Sequence, residues 1–235
     1  MSEIAPSATS PAERFQPSQQ PSDDVWEVLY TTRAIRRLKP DPIADDVLYR
    51  LLDAAIRAPS GGNQQSWRFI VVRDQATKAR LGELYRECIA ALFASGYGQP
   101  APGVTLTPAQ IAAAEKMGKS AQYLATHFAE VPVYVLGCIR TAANAGVTAG
   151  ASIYPAIWSL QLAARALGLG STLTTVHRMR EAQVKALLGV PDGYETAALI
   201  PLGYPRGTFA PGPRQPVEAV SFLDRWGAAF ERGRG

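Results

Sequence analysis

Hydrophobic positions along the chain switch between a helical and a strand-like period. Val47, Leu48, Leu51, Leu52, Ala55 and Ile56 recur at three- and four-residue steps, which predicts a helix over about 44–58. Asp45 and Asp46 fall in its first turn, where the helix dipole favours acids, and Pro59 stops it. Gly61 and Gly62 loosen the chain before a short strand at 67–73 (WRFIVVR). A helical stretch follows at 76–94. Another starts at Thr107, with Thr as N-cap, Pro108 at the first helical position and Gln110 two further on. The run 131–139 (VPVYVLGCI) is nearly all apolar, as befits a strand buried on both faces. Residues 151–167 read as a helix that is apolar on almost every side, closed by Gly168. A strand entering a turn at 171–176, a helix at 180–189 and a strand at 195–204 complete the pattern. Asp23 and Asp24 offer caps for a short helix through Val25, Trp26, Val28 and Leu29. Strands separated by long helical connections give an α+β sandwich rather than a bundle, with no internal repeat.

Three segments stand outside this pattern. Residues 1–22 are rich in Pro, Ser, Gln, Ala and Thr and carry few large apolar side chains, so they read as a disordered tail or an arm that orders only on a partner. Residues 23–235 then form a single domain. Within it, 95–130 reads as a lid insertion, Gly/Pro-rich at its start and carrying Tyr97, Tyr123 and Phe128; from Pro205 the chain reads as an extended segment rich in Pro, Gly and Arg. Pro155 is tolerable only near a helix start or at a kink.

Composition narrows the function by exclusion. The chain has 235 residues, 47% hydrophobic and 19% charged, enough to bury a sizeable core. No apolar stretch is long enough for a membrane span, and no secretory start is visible, so the expectation is a cytoplasmic protein. Cys88 and Cys138 are too few for a disulfide framework or a zinc site. The net charge of +4 is concentrated in Arg33, Arg36, Arg37 and Lys39. So short a cluster suits one phosphate better than a nucleic-acid surface. His127 and His177 are far apart and read as surface or interface residues; no nucleophile elbow, P-loop or metal motif accompanies them. Chemistry therefore falls to a cofactor.

Four segments carry a signal in combination. They are T-R-A-I-R-R-L-K-P-D-P-I from Thr32, A-P-S-G-G-N-Q-Q-S-W-R-F from Ala58, A-A-R-A-L-G-L-G-S-T-L-T-T from Ala163, and L-G-Y-P from Leu202 with R-Q-P-V from Arg214. In this order they resemble the nitroreductase family of FMN-dependent oxidoreductases, over about residues 24–226 and in a style nearest its actinobacterial members.

That resemblance implies a nitroreductase-like α/β/α sandwich with a mainly antiparallel central sheet, in an intertwined homodimer with FMN at the subunit interface. It assigns FMN binding to Arg33, Ala34, Arg36 and Arg37 near the phosphate and pyrimidine edge. Pro59, Ser60, Gly61 and Asn63 would approach the ring and ribityl chain from the other subunit. Leu173, Thr174, Thr175 and Val176 would run along the isoalloxazine, and Arg214 would meet the phosphate. Many members carry Arg where this chain has Thr32. The implied activity is ping-pong hydride transfer from NADPH or NADH, through flavin N5, to a nitroaromatic or quinone-like acceptor. No side chain acts as catalytic acid or base in that scheme, and no metal or nucleic acid enters it. Arg178, Arg180 and Arg206 are the arginines available to read a 2′-phosphate. The same fold also supports flavin fragmentation, reductive dehalogenation and non-enzymatic FMN sequestration.

Overall fold

A computed structural model describes residues 15–97, 105–140 and 146–230. A four-stranded antiparallel sheet lies at its centre, in the order β1 (Trp67–Val72), β2 (Val133–Arg140), β4 (Tyr194–Gly203), β3 (Gly170–Ser171). Helices cover both faces. On one face Val133, Val135, Ile139, Ala198, Ile200 and Leu202 pack against α2 (Asp45–Ala55) and α5 (Gly146–Ala166). On the other, Tyr134, Leu136, Cys138 and Leu199 pack against α3 (Gln75–Ala94), α4 (Pro108–Thr126) and α6 (Glu181–Leu188). The period-two alternation of each strand thus feeds two cores, which is why the two central strands are apolar throughout. A bulge between β2 and β4 leaves Ala197 without a partner.

Several predicted ends are present in detail. Asp24 caps α1 (Val25–Thr31), accepting from the amides of Trp26 and Glu27. Thr107 and Gln110 form a reciprocal capping box at α4.

Other segments differ from the sequence reading. The strand predicted at 171–176 is only Gly170–Ser171, followed by an isolated bridge between Thr174 and Leu199 and a 3-10 turn, Val176–Arg180. Pairings 170–203, 171–202 and 174–199 share one register, and that register sets Pro201 opposite Thr172. Proline has no N–H to give the Thr172 carbonyl, so the ladder breaks there; the Thr172 hydroxyl, on its own account, is buried without a partner. Pro155 lies well inside α5, which starts earlier than 151. Ala151 is the carbonyl left without its helical donor.

Residues 15–22 are seated on their own chain instead of lying free; 1–14 are outside the described residues. Ser18 bridges Phe209, and Ser22 N–H donates to the Ala166 carbonyl at 3.0 Å. Arg165, the one charge near the end of α5, holds this corner. Its side chain, 1% exposed, donates to Thr31 Oγ1 (2.7 Å), the Gln20 carbonyl (3.0 Å) and Glu27 Oε1 (2.7 Å) and lies over the Phe209 ring. The polar tail orders because a buried guanidinium needs acceptors, which composition does not reveal.

His177 is no surface residue. It is 1% exposed, and neither ring nitrogen has a well-formed hydrogen bond, although the Thr174 backbone lies within reach. Burial pushes its pKa from 6.5 down to about 4, against the pull of Glu181. Burial also opposes charge on Glu181, yet hydrogen bonds from the Thr196 amide and hydroxyl hold that carboxyl below its usual 4.5.

Two outcomes follow. The unfolded chain protonates His177 as pH falls below 6.5 while the folded chain does not, so stability is lost in that window. Urea unfolding should show a loss of roughly 2 kcal/mol between pH 7 and pH 5, before Glu181 contributes. His177→Leu should flatten this slope; an unchanged slope would put its origin elsewhere. Second, a Cβ on Gly170 would sit 2.8 Å from Ile35 Cγ2 and 3.1 Å from Ile35 Cβ. Gly170→Val should cost about 1–3 kcal/mol by overpacking, read by the same titration.

Candidate functional site

The arginine segment reaches the sheet edge through backbone bonds. Ile35 N–H donates to the Ser171 carbonyl (2.8 Å), Lys39 N–H to Tyr204 (2.8 Å), and Arg206 N–H to Arg37 (2.9 Å). Ile35 and Leu38 bury inward, which leaves Arg33, Ala34, Arg36 and Arg37 to line an open cleft of about 470 Å³. Lys116, Lys119 and Glu115 of α4 line it too, with Thr208 and Gly207 of the C-terminal segment. Five cations against one acid give the described lining an excess of positive charge.

The individual side chains are held differently. Arg33 donates to the carbonyls of Ala210 and Thr208, both at 3.2 Å, which fixes its guanidinium at the rim. Arg214 lies nearby: a Cβ on Gly212 would be 3.0 Å from Arg214 Nη1 and 3.9 Å from Arg33 Cδ. The two arginines thus flank Gly212. Arg37 lies over the Tyr123 ring, 4.6 Å from its centre. Thr32 is buried and donates to the Val28 carbonyl at 2.6 Å, so it closes α1 and does not face the cleft.

Leu173, Thr174, Thr175 and Val176 do not line this cleft; Thr174 meets Tyr85 instead. The two hydroxyls are 3.1 Å apart. Burial raises the Tyr85 pKa, outweighing Thr174 and the nearby Arg36, so the phenol stays a neutral hydrogen-bonding group. Leu173 and Thr175 are exposed beside it, and Val176 is half-buried. Burial also pushes the Cys138 thiol up to about 11 and raises that of Cys88, so neither is a nucleophile.

Pro59, Ser60, Gly61 and Asn63 are not brought to this cleft within the chain. They form the exposed turn between α2 and β1, where Gly61 N–H donates to Ser152 Oγ of α5 at 3.3 Å. Gly62, Asn63 and Gln65 all have positive φ, near 50–57°. Two of these are not glycine, so the turn carries backbone strain.

Sequence reasoning missed Lys116 and Lys119. The lysines sit on a helix read only as a lid. Of the predicted lid aromatics, Phe128 is wholly buried between Tyr85 and Tyr134, a core residue, while Tyr97 is exposed. Residues 98–104 lie outside the described residues. Among the described residues no cluster fit for a metal is present, and no helix is long and apolar enough to cross a membrane.

Residues 29–204 match the model of the Nitroreductase family. An NADH dehydrogenase of Thermus thermophilus is 32% identical over 202 residues, covering 80% of this chain and 90% of that protein. A 5,6-dimethylbenzimidazole synthase of Rhodospirillum rubrum is 30% identical over 201 residues, covering 82% and 86%. Among solved structures, an iodotyrosine deiodinase bound to FMN and 3-iodo-L-tyrosine matches with a TM-score of 0.66, at 23% identity over 86% of this chain and 98% of that one, a likeness of fold. With the match spanning the arginine segment, the 58–69 turn and all four strands, the chain belongs to the Nitroreductase family.

Proposed function

We propose that this chain is an FMN-dependent oxidoreductase that uses NADPH or NADH to reduce nitroaromatic or quinone-like acceptors. The observation that carries the reading is the cationic cleft formed by Arg33 and Arg36 with Arg214 beside it. These residues fit the phosphate and pyrimidine edge of a flavin mononucleotide. Arg33 and Arg214 flank Gly212, and Arg33 is already fixed by two carbonyls. The relatives support the flavin: the deiodinase of the same fold is bound to FMN, and the Thermus relative is an NADH dehydrogenase.

Each residue then has a task. Arg33, Arg36 and Arg214 would hold the phosphate and, at Arg36, stabilise negative charge on the pyrimidine edge. Leu173, Thr174, Thr175 and Val176 would lie along the ring. Tyr85 would keep Thr174 in place with a bond that stays protonated across the working pH range. Ala34 would leave room where a larger side chain would intrude. When bound, FMN supplies the redox chemistry, taking hydride from the nicotinamide and passing electrons to the acceptor. The side chains supply binding, orientation and charge.

The Pro59–Asn63 turn would serve the site of a second copy, in a homodimer. The C-terminal segment suits such an assembly: Val217, Val220, Leu223 and Trp226 are all more than half exposed, an apolar surface that water disfavours. The free Cys88 and Cys138 suit a reducing cytosol. Residues 95–130 would act as the lid over the acceptor.

The test begins with the visible spectrum. A yellow protein that NADPH or NADH bleaches without oxygen, and that a nitroaromatic recolours, meets the expectation. A protein that FMN cannot colour, or a loaded flavin that neither donor bleaches, overturns it. Arg33→Ala and Arg214→Ala should each weaken FMN retention by about tenfold or more, read by flavin fluorescence quenching. Sedimentation equilibrium should give twice the 25.2 kDa chain mass; the monomer mass would exclude the homodimer.

A further inference from the structure

The phosphate reading uses one part of the cleft and leaves another group of cations unassigned. Lys116 and Lys119 lie one turn apart on α4 and both line the cleft with Arg37. Arg37 and Lys119 also line a neighbouring groove of about 510 Å³, whose walls include Phe93, Gly118, Tyr123 and His127. Arg37 and Lys119 thus border both openings.

The groove is built of flat surfaces. His127 stacks on Tyr123 with ring centres 3.9 Å apart and planes 14° from parallel, and its Nδ1 is held 2.9 Å from the Tyr123 carbonyl. The Arg37 guanidinium lies over the same tyrosine. Gly118 lies beside the Phe93 ring, where a Cβ would stand at ordinary contact distance, 3.8 Å.

Among the described residues, Arg37, Lys116 and Lys119 are in no ion pair, whereas the arginines offered by the sequence are engaged. Arg178 pairs with Glu181 and Glu195, Arg180 pairs with Glu87, and Arg206 donates to the Leu38 carbonyl. Among the described residues, Glu115 is the only acid lining either opening.

Three unpaired cations beside stacked planes suit a planar heterocycle that carries a dianion. Lysines bind a phosphate as point charges, and a guanidinium plane takes a purine on its face. We propose that Arg37, Lys116 and Lys119, with the Tyr123–His127 stack, form a subsite for the adenosine 2′-phosphate half of NADPH, which makes NADPH the preferred donor. The proposal rests on the reading of the Arg33 side as the FMN site, and it moves Arg37 from that site to the donor.

Titration calorimetry of the full chain tests it without turnover. 2′,5′-ADP should bind roughly tenfold or more tightly than 5′-AMP, the margin of a charged phosphate contact. Lys119→Gln and Lys116→Gln should each shrink that margin and leave 5′-AMP binding unchanged, while Lys119→Arg should keep it. All are exposed positions, and matching melting curves would confirm that the variants fold. Equal affinity for the two nucleotides overturns the proposal. So does a margin that survives the double variant. The titration is run on protein with and without FMN. A margin that depends on Lys119 in a protein that FMN cannot colour supports the subsite and sinks only the flavin reading; a coloured protein with no margin does the reverse.

Discussion

The geometry of the site depends on how closely the arginine segment lies on the sheet edge. Gly170 and Gly203, at the paired ends of β3 and β4, leave no side chain between the edge and Ile35 or Leu38. A Cβ at Gly203 would sit 3.1 Å from Leu38 Cβ and 3.3 Å from the Lys39 carbonyl. This contact lets three backbone hydrogen bonds form between segments far apart in sequence, and it buries Ile35 and Leu38 in the second core. With Ile35 and Leu38 pinned inward, Arg33, Arg36 and Arg37 are left to face the cleft. The charge of the site is thus set by packing beneath it.

The same sheet edge is where regular structure ends. Pro201 interrupts the β3–β4 ladder, and the chain leaves the sheet at Thr174 for a 3-10 turn. That departure brings Thr174 to Tyr85 and exposes Leu173 and Thr175 beside it. The Thr172 hydroxyl and both His177 nitrogens are buried there without a well-formed hydrogen bond. Such groups cost free energy, on the order of 1–3 kcal/mol each.

Two guanidiniums show how one residue type serves opposite ends. Arg165 is enclosed and satisfied by Thr31, Gln20, Glu27 and Phe209, and it ties α5 to α1 and both terminal segments. Arg37 lies over a tyrosine face and, among the described residues, is in no ion pair. The first joins parts of the chain. The second stays open to an anion, because a cation without a carboxylate partner has attraction left for a ligand.

The sequence by itself determined the elements and the kind of chemistry. Periodicity located α2, α3 and the buried strands β2 and β4, because a face buried in a core must repeat with the backbone. The caps at Asp24 and Thr107 were legible because they act over three residues. The arginine cluster, together with the lack of a nucleophile or metal motif, already directed attention to a phosphate-bearing cofactor. Tertiary structure alone decided the rest. It shortened the strand at 171–176, since Pro201 lies some thirty residues away in sequence. It buried His177, ordered residues 15–22 around Arg165, and set Lys116 and Lys119 on the cleft. Each of these depends on a contact between distant segments, and neither local spacing nor composition carries information about which distant segment a side chain will meet.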